Sequence, residues 1–383
     1  MSAPRKISPI MDGFTLGQLL SRSSTATCYQ ATQNHTGQRY VVKIISLPAS
    51  TQQLDALLMS GTFAGPSEVN AHFKEQARDV LRNVQVLRHL ATVGGFVDYD
   101  CVQVVPSADG KGYEVYLLSP LRQTLPQQLQ REDLTQGDVV NLALDLCAAL
   151  TVCRRSGYCC VNLKPGNVFH HGKHYHIGDL GFLPLYEMGR IPLPEQYRSS
   201  YSPPELMDGT RPINDTADVY ALGLILYQAY NGGILPGNDA VFGRLLLPPK
   251  YADYEMAEII LRACAPDPSI RWQGPEQMGL ALMRYTQRNG MRNEPVVPPI
   301  LRELEKKAEE EPFLPDEATA LPPVRRRERK PAPRRKLPAL KLRKRAPKAK
   351  KQTRYRLSKA WIAIGLLGVI LMLELVLMLW LFR

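Results

Sequence analysis

Three polar residues in the middle of the sequence, Lys164, Asn167 and Asp179, stand next to short apolar segments. The Pro-Gly pair before Asn167 predicts a loop that runs into an apolar strand. A short turn, residues 170–174, then leads to a second strand that ends at Asp179. A lysine, an amide and a carboxylate at one end of two adjacent strands suit a site for magnesium and phosphate, because hard cations take oxygen ligands.

The same two segments resemble the catalytic and metal-binding segments of eukaryotic-type protein kinases, whose patterns are H-R-D-L-x-x-x-N and D-F-G. The matching residues are Leu163, Lys164, Asn167, Asp179 and Gly181. The resemblance implies that ATP is the nucleotide, that Asn167 and Asp179 bind Mg²⁺, and that Lys164 belongs to the catalytic loop.

The first pattern departs from the family at its reactive position. Asn162 stands where the family has the aspartate that accepts the proton, and Cys160 and Val161 stand where it has His and Arg. An asparagine has the shape of that aspartate and can accept a hydrogen bond, but it cannot take the proton. The residues therefore predict a kinase-like scaffold without its general base.

Residues 14–45 predict three strands joined by short turns. They resemble the first strands of a kinase N-lobe, and Lys43 stands in place of the V-A-I-K lysine, which implies contact with the ATP phosphates. The intervening loop has Ser21, Ser23 and Ala26 where kinases have the glycines of G-x-G-x-x-G. Because any Cβ keeps the backbone away from the phosphates, we expect weakened nucleotide binding.

Apolar residues at helical spacing predict a helix over residues 68–90. In kinases a glutamate of this helix pairs with the third-strand lysine. The alignment places Asn83 at that position, and a shift by one turn would offer Asp79 instead. Asn83 could still hydrogen-bond Lys43, but without the charge that makes such a bond strong.

Further residues resemble those that hold the larger kinase lobe together. Asp218 resembles the aspartate that anchors the catalytic loop, and Glu205 and Arg271 resemble a paired glutamate and arginine. A buried charge needs its partner, because an unpaired one is costly. The resemblance covers residues 14–287 and implies an α+β, bilobal protein-kinase-like fold, with a small β-rich N-lobe and a larger helical C-lobe. Residues 1–13 are expected to form a leader.

The Pro- and Tyr-rich segment 182–203 resembles a kinase activation segment. Arg198 stands where the family usually has a threonine that touches the catalytic base. Val161 replaces the arginine that would pair with an activating phosphate. Phosphorylation at residues 199–201 is therefore not expected to switch the protein on.

The composition is that of a globular protein, with 44% hydrophobic and 22% charged residues over a length of 383. Its net charge of +12 is uneven, because residues 325–359 contain 18 Lys/Arg and one Glu, a local +17 that leaves −5 for the rest. The seven cysteines lack the paired spacing of zinc sites, and the N-terminus does not read as a signal peptide. These features predict reduced thiols in a cytosolic domain.

The C-terminal quarter of the sequence consists of three segments of different composition. Residues 288–324 are rich in Pro and Glu and predict a linker, and residues 325–359 predict a disordered polybasic juxtamembrane segment. Residues 360–382 carry one charge, Glu374. At ~1.5 Å per residue they span ~34 Å, enough for a ~30 Å hydrocarbon layer. We expect a transmembrane helix and a tail-anchored protein whose kinase-like domain faces the cytosol, because basic flanks stay on that side.

Three interpretations of the basic segment 325–359 remain open. We favour a topology signal that also lies on anionic lipid headgroups. Nucleic-acid binding is disfavoured, because Tyr355 is the sole aromatic residue in the run, and docking of an acidic protein is the third possibility. Glu374 is costly in a bilayer unless it is protonated or shared, so we expect self-association through the transmembrane helix.

These observations predict a membrane-anchored pseudokinase, meaning a kinase-like binding or scaffold module that responds to ATP. The alternative is an atypical, slow Ser/Thr protein kinase that transfers the ATP γ-phosphate to protein hydroxyls. A third possibility is a kinase fold that phosphorylates a small molecule or transfers another nucleotide group. The sequence names no protein partner or substrate.

Overall fold

The computed structural model describes residues 12–23, 25–130, 134–207, 209–237 and 246–299. The predicted leader as far as residue 11, the predicted linker beyond residue 299, the polybasic segment and the transmembrane helix lie outside the described residues.

The N-terminal part is a five-stranded antiparallel sheet with the order β1-β2-β3-β5-β4. Its strands are β1 (Phe14–Arg22), β2 (Ala26–Gln33), β3 (Arg39–Leu47), β4 (Cys101–Pro106) and β5 (Tyr113–Pro120). In β3, Val42 and Ile44 are buried in an apolar cluster on one face of the sheet. Because side chains alternate along a strand, Lys43 leaves the sheet on the opposite face, toward the helical part. The three predicted N-terminal strands are confirmed.

A long helix, α2 (Pro66–Val93), packs on this sheet and confirms the helix predicted over residues 68–90. It begins at Pro66, where the missing N–H removes no intrahelical bond. It ends before Gly94, whose φ of 122° is accessible to glycine. Its buried side chains form one stripe of Val69, Phe73, Ala77, Val84, Leu87 and Leu90.

A shorter helix, α1 (Thr51–Met59), precedes α2 and was not predicted from the sequence. Its N-cap is Ser50, whose hydroxyl accepts the Gln53 N–H. Leu54 packs against residues near the start of α2 in a small cluster of its own. The helix therefore depends on α2 for burial of its apolar side.

The C-terminal part is mainly helical. Its helices are α3 (Leu125–Leu129), α4 (Gln136–Arg155), α5 (Pro204–Met207), α6 (Ala217–Tyr230), α7 (Tyr254–Ala263) and α8 (Pro275–Asn289). Almost every side chain of α6 is buried, so this helix forms the centre of the core. A β-rich N-terminal part followed by a helical part agrees with the predicted bilobal fold.

Short strands carry the loops of the site. They are β6 (Gln123–Thr124), β7 (Tyr158–Cys160), β8 (Val168–His171), β9 (His174–Ile177) and β10 (Phe182–Pro184). β6, β8 and β9 form one small sheet, and β7 pairs with β10. The β8–β9 hairpin places Asn167 and Asp179 near the same end, where the Gly178 N–H donates to the Asn167 carbonyl at 2.8 Å. The two predicted strands are confirmed.

The packed domain continues beyond residue 287, where the sequence predicted its end. The Gly137 N–H donates to the Arg292 carbonyl at 2.8 Å, and the Val296 N–H donates to the Leu134 carbonyl at 2.9 Å. Val296 and Val297 are buried. Residues 288–299 therefore belong to the folded domain, because their backbone N–H and carbonyl groups form hydrogen bonds with backbone groups at the start of α4.

Within the described residues, one helix, α4, is long and apolar enough to cross a membrane. Its Leu142, Leu146 and Leu150 are buried in the main core cluster. The apolar composition of α4 thus reflects packing inside the domain and supports no membrane assignment for this helix.

Candidate functional site

A cavity of about 450 Å³ lies where the sheet, α2 and the loops of the helical part meet. The predicted site residues that line it are Ser23, Ala26, Lys43, Asn83, Asn162, Lys164 and Asp179. Ser21 and Asn167 do not line it. A larger groove of about 620 Å³ lies below the same loop and shares Lys164 with the cavity.

Lys43 and Asp179 form an ion pair across this cavity. The Tyr99 hydroxyl donates to the same carboxylate oxygen, Asp179 Oδ1, at 3.1 Å. Burial by itself raises the pKa of the Asp179 carboxyl, but the Lys43 ammonium and the hydrogen bonds from the Leu180 backbone and Tyr99 together outweigh this effect, and the pKa lies below its ordinary value. Asp179 is therefore an anion that already has two donors on one oxygen.

The backbone of Asp179 has a φ of 71°, which makes it the one non-glycine residue with positive φ among those the structure describes. This region is sparsely populated for a residue with a Cβ, and the surrounding structure must hold it there. Such a conformation aims the carboxylate at the cavity and marks the position as a functional candidate.

Asn83 helps to fix the backbone next to Asp179, and it does not bind Lys43. Its Oδ1 accepts the Gly181 N–H at 3.2 Å and the Phe182 N–H at 2.8 Å. The expectation that Asn83 could hydrogen-bond Lys43 is therefore wrong, because the Asn83 side chain bonds the backbone of the segment after Asp179. The other candidate on α2, Asp79, is paired with Arg82.

Asn162 is a structural member of the loop. Its Nδ2 donates to the Leu180 carbonyl at 2.7 Å, and its Oδ1 is buried without a partner among the described residues. Asn167 in turn donates from Nδ2 to the Asn162 carbonyl at 2.8 Å. A side chain at Gly181 would overlap Asn162, so the two segments touch directly. The amide at position 162 therefore ties the loop to the Asp179 segment.

The loop between β1 and β2 uses its serine internally. Ser23 Oγ donates to the Ala26 carbonyl at 3.2 Å and lies 3.1 Å from the Ala26 N–H. The Ser23 N–H also bonds the Ala26 carbonyl at 2.8 Å. Ser21 sits opposite Cys28 in the β1–β2 register. The Ser23 hydroxyl is therefore engaged in its own turn and does not replace a glycine as a phosphate donor.

Lys164 is the second cation of the cavity. Burial lowers the pKa of its ammonium and Lys43 lowers it further, whereas Asp179 opposes both effects. Two ammonium groups near one carboxylate give this end of the cavity an excess of positive charge. That arrangement favours a ligand with several negative charges.

Asp218 holds the loop from below, as predicted. Its Oδ2 accepts the Cys160 N–H at 2.9 Å and the Cys159 thiol at 3.3 Å. Burial raises the pKa of the Asp218 carboxyl to about 7, because the two hydrogen bonds and the charge of Arg154 offset desolvation only in part. The same burial raises the pKa of the Cys159 and Cys160 thiols well above the ordinary value. The Cys159 thiol is a structural donor, and the raised pKa of both thiols argues against a role as nucleophiles.

The predicted pair of Arg271 and Glu205 is also present. Both terminal nitrogens of the fully buried Arg271 donate to the Glu205 carboxylate at 2.8 Å. Its remaining donors reach the Ala265 carbonyl, the Pro266 carbonyl and Thr216 Oγ1. The buried charge is thus paired in a bidentate arrangement and fully hydrogen-bonded.

Two tyrosines at the site are not indicated by any sequence motif. Tyr99 follows the β-bridge at Phe96, and no local signal shows that its hydroxyl reaches Asp179. Tyr197 lines the cavity, and its ring packs on Gly181. Burial raises the pKa of Tyr197 to about 12, and Asp179 contributes to the increase. The Tyr-rich composition of the loop was the only available signal for Tyr197.

The cavity therefore presents ammonium groups to a phosphate-bearing ligand such as ATP. The proposed metal ligands suit a magnesium ion less well, since Asp179 Oδ1 already accepts from Lys43 and from Tyr99. Asn167 donates from Nδ2 to the Asn162 carbonyl, so the atom it could offer to a metal is its neutral Oδ1. In this arrangement the residues suit the polyphosphate of a nucleotide better than they suit Mg²⁺.

Comparison with known proteins adds two findings. A family model described as the protein kinase domain matches residues 14–240. A Wee1-like protein kinase of Oryza sativa subsp. japonica is 26% identical over 147 residues, which cover 37% of this chain and 28% of that protein. The similarity thus spans less than a third of that relative's length.

Proposed function

The chain belongs to the protein kinase domain family, and on that premise we propose that it is a membrane-anchored pseudokinase, a binding or scaffold module whose cleft takes up ATP. The observation that carries this proposal is the hydrogen bond from Asn162 Nδ2 to the Leu180 carbonyl. The residue at the position of the general base is an amide donor tied to the backbone.

The loss of the general base should lower the rate of phosphate transfer by a predictable factor. Proteins of this family generally use ATP and Mg²⁺, and a positioned base is typically worth ~10²–10⁴ in rate. Asn162 cannot accept the acceptor's proton, and Ser23 and Ala26 replace two glycines that would approach the phosphates. The first change affects the chemical step, the second weakens contact with the phosphates, and both leave the scaffold intact.

The retained scaffold supports a binding role. The Arg271–Glu205 pair and the Asp218 contact with the loop keep the helical part packed around the cleft. Lys43 and Lys164 line the cavity and supply the positive charge that would hold the phosphates of ATP. Binding of ATP is then the event to which the module responds.

A pair of measurements tests the proposal. The purified full chain is incubated with labelled MgATP and a generic protein acceptor, next to an Asp179→Ala variant, and thermal stabilisation by ATP is recorded in parallel. We expect stabilisation by ATP and no incorporation of phosphate above the variant's background. Stabilisation that is absent under all conditions would contradict the proposed nucleotide-binding role.

The alternative of a slow Ser/Thr protein kinase has two observations in its favour. Lys43, Lys164 and Asp179 line one cavity, and the similar rice protein is named a protein kinase. Phosphate incorporation that depends on Asp179 would establish this alternative in place of the pseudokinase.

The membrane anchor is a separate part of the proposal. Residues 360–382, with a single charge, are proposed to cross the bilayer, and the basic residues 325–359 to lie on anionic headgroups with the kinase-like domain in the cytosol. Membrane fractions extracted with alkaline carbonate should retain the full chain and release a variant that lacks 360–382. Release of both proteins would refute the anchor.

Glu374 is proposed to mediate contact between two membrane helices. The Glu374→Leu variant should show reduced self-association in detergent compared with the unaltered chain. Equal self-association of the two proteins would remove this part of the proposal.

A further inference from the structure

Lys43 has its counter-ion outside α2. Its carboxylate partner is Asp179, on the opposite side of the cavity. The helix that would supply a glutamate, α2, has no free carboxylate to offer there. Asn83 bonds the backbone at Gly181 and Phe182, and Asp79 is paired with Arg82. The lysine that should hold phosphate and the carboxylate that should hold metal therefore neutralise each other.

This pairing is built into the fold around Asp179. The left-handed backbone at Asp179, with φ of 71°, is secured by the two N–H groups that Asn83 accepts immediately downstream. The Tyr99 hydroxyl adds a second donor to Oδ1 at 3.1 Å. The Asp179 side chain is 13% exposed, so water offers little competition for these donors. The carboxylate is held toward Lys43 from several directions.

A magnesium ion is poorly matched to this carboxylate. Mg²⁺ requires near-octahedral oxygen ligands at 2.0–2.1 Å and gives up its water reluctantly. An ion bound to Asp179 would lie beside the Lys43 ammonium and would have to displace it or tolerate its repulsion. The second expected ligand, Asn167, is buried and donates from Nδ2 to the Asn162 carbonyl, so it could offer only a neutral oxygen, Oδ1, to the ion.

The charges of the cavity make such an ion unnecessary for anion binding. Lys43, Lys164 and Arg198 line the cavity, against the carboxylates of Asp179 and Asp79. Asp79 is neutralised by Arg82, and the position of the catalytic aspartate carries the neutral Asn162. The cavity thus has an excess of positive charge without a metal. A phosphate chain that reaches Lys43 can replace the Asp179 carboxylate as its partner.

We infer that the cleft binds a nucleotide polyphosphate as the free anion, without Mg²⁺, and that Asp179 competes with the phosphates for Lys43. This inference rests on the proposed nucleotide-binding function and specifies the form of the ligand. It predicts that removal of the Asp179 charge helps binding, whereas a metal-dependent site would be destroyed by the same change.

The test is ATP titration of the purified full chain in detergent, with EDTA or with MgCl₂, followed by calorimetry. The unaltered chain should bind ATP at least as tightly in EDTA as in MgCl₂. Lys43→Met should weaken binding roughly tenfold or more, as loss of a charged hydrogen bond does. Asp179→Asn should bind as tightly as the unaltered chain or more tightly. Lys173→Met is the matched control, because Lys173 lies in the exposed β8–β9 turn and should leave the affinity unchanged.

The outcomes separate the inference from the function on which it rests. Binding that requires MgCl₂, or that is lost in Asp179→Asn while this variant keeps the thermal midpoint of the unaltered chain, overturns the inference and leaves a nucleotide-binding protein. No ATP binding in either medium overturns the proposed function itself. Tripolyphosphate is titrated alongside, and an affinity equal to that of ATP would contradict recognition of a nucleotide.

Discussion

The Asn162 side-chain amide ties the loop of the candidate site to the Asp179 segment. Its Nδ2 donates to the Leu180 carbonyl at 2.7 Å, and the backbone carbonyl of Asn162 accepts from Asn167 Nδ2 at 2.8 Å. An aspartate has the same shape but offers no donor unless it is protonated. At position 162 it would face the Leu180 carbonyl oxygen and would add a second negative charge near Asp179. Restoring the family's residue at this position is therefore not a neutral change.

We expect Asn162→Asp to lower the free energy of unfolding by about 1–3 kcal/mol, because a buried donor is lost and a carbonyl is left unpaired. Urea denaturation of the full chain measures the change. The matched control is Asn231→Asp, which removes a side-chain donation to the Ile234 carbonyl in an exposed turn. A smaller loss of stability for position 162 than for position 231 would contradict the structural role of Asn162.

Asp218 predicts a pH dependence of stability. Its pKa is about 7 in the folded chain, against about 3.9 for an ordinary aspartate. Between these two pH values the Asp218 carboxyl is protonated in the folded state and ionised in the unfolded state. The stability that the protonated carboxyl contributes is therefore lost as the pH rises from about 4 through about 7. In Asp218→Asn the group no longer titrates.

The measurement is the thermal midpoint of both proteins between pH 5 and pH 8. We subtract the midpoint of Asp218→Asn from that of the unaltered chain, and this difference should fall as the pH rises. Each kcal/mol of stability that the unaltered chain loses should lower its midpoint by roughly 2–4 °C. A difference that stays constant or grows with pH would exclude a raised pKa at this position.

At the scale of elements, α2 positions the segment that carries Asp179. Its contact is made by one side chain, Asn83, which accepts two successive backbone N–H groups. The helix therefore acts on the site through the backbone of the β10 segment and not through a charge on Lys43. Movement of α2 would be transmitted to Asp179 by this route.

Asn83→Ala should leave the Gly181 and Phe182 N–H groups without an acceptor and cost about 1–3 kcal/mol of stability. Hydrogen exchange at these two amides should accelerate, because the bond that protects them is gone. Lys74→Ala, on an exposed face of the same helix, should leave both amides unchanged. Unaltered protection in Asn83→Ala would mean that the segment is held by other contacts.

On the scale of the whole molecule, one buried ion pair joins distant parts of the helical region. Arg271 is fully buried, and Glu205 approaches it with both oxygens at 2.8 Å from a position 66 residues away. The Arg271 guanidinium also lies over the Tyr220 ring of the central helix, at 4.7 Å from the centroid. The pair thus links α5, α6 and the segment before α8.

Glu205→Gln should destabilise the chain by about 3–5 kcal/mol, because Arg271 remains buried without a counter-charge. Soluble yield and urea denaturation both report the loss, so a variant that fails to fold is still informative. The matched control is Glu276→Gln, whose carboxylate is 36% exposed and lies 4.0 Å from Arg154. Equal stability of the two variants would contradict the importance of the buried pair.

The sequence by itself determined the features that depend on neighbouring residues. Alternation predicted the N-terminal strands, and helical spacing predicted α2. The resemblance to kinase motifs singled out Lys43 and identified Asn162 as an amide in place of a base. It did not reveal α1 or the packing of residues 288–299, whose apolar residues find their partners elsewhere in the fold.

Only the tertiary structure decided which groups meet. The bond between Lys43 and Asp179 joins residues 136 positions apart, that between Tyr99 and Asp179 spans 80, and that between Asn83 and Phe182 spans 99. Residue type allows many partners for a lysine, an amide or a hydroxyl. The choice among them depends on how the sheet, α2 and the loops pack together, which no local pattern specifies.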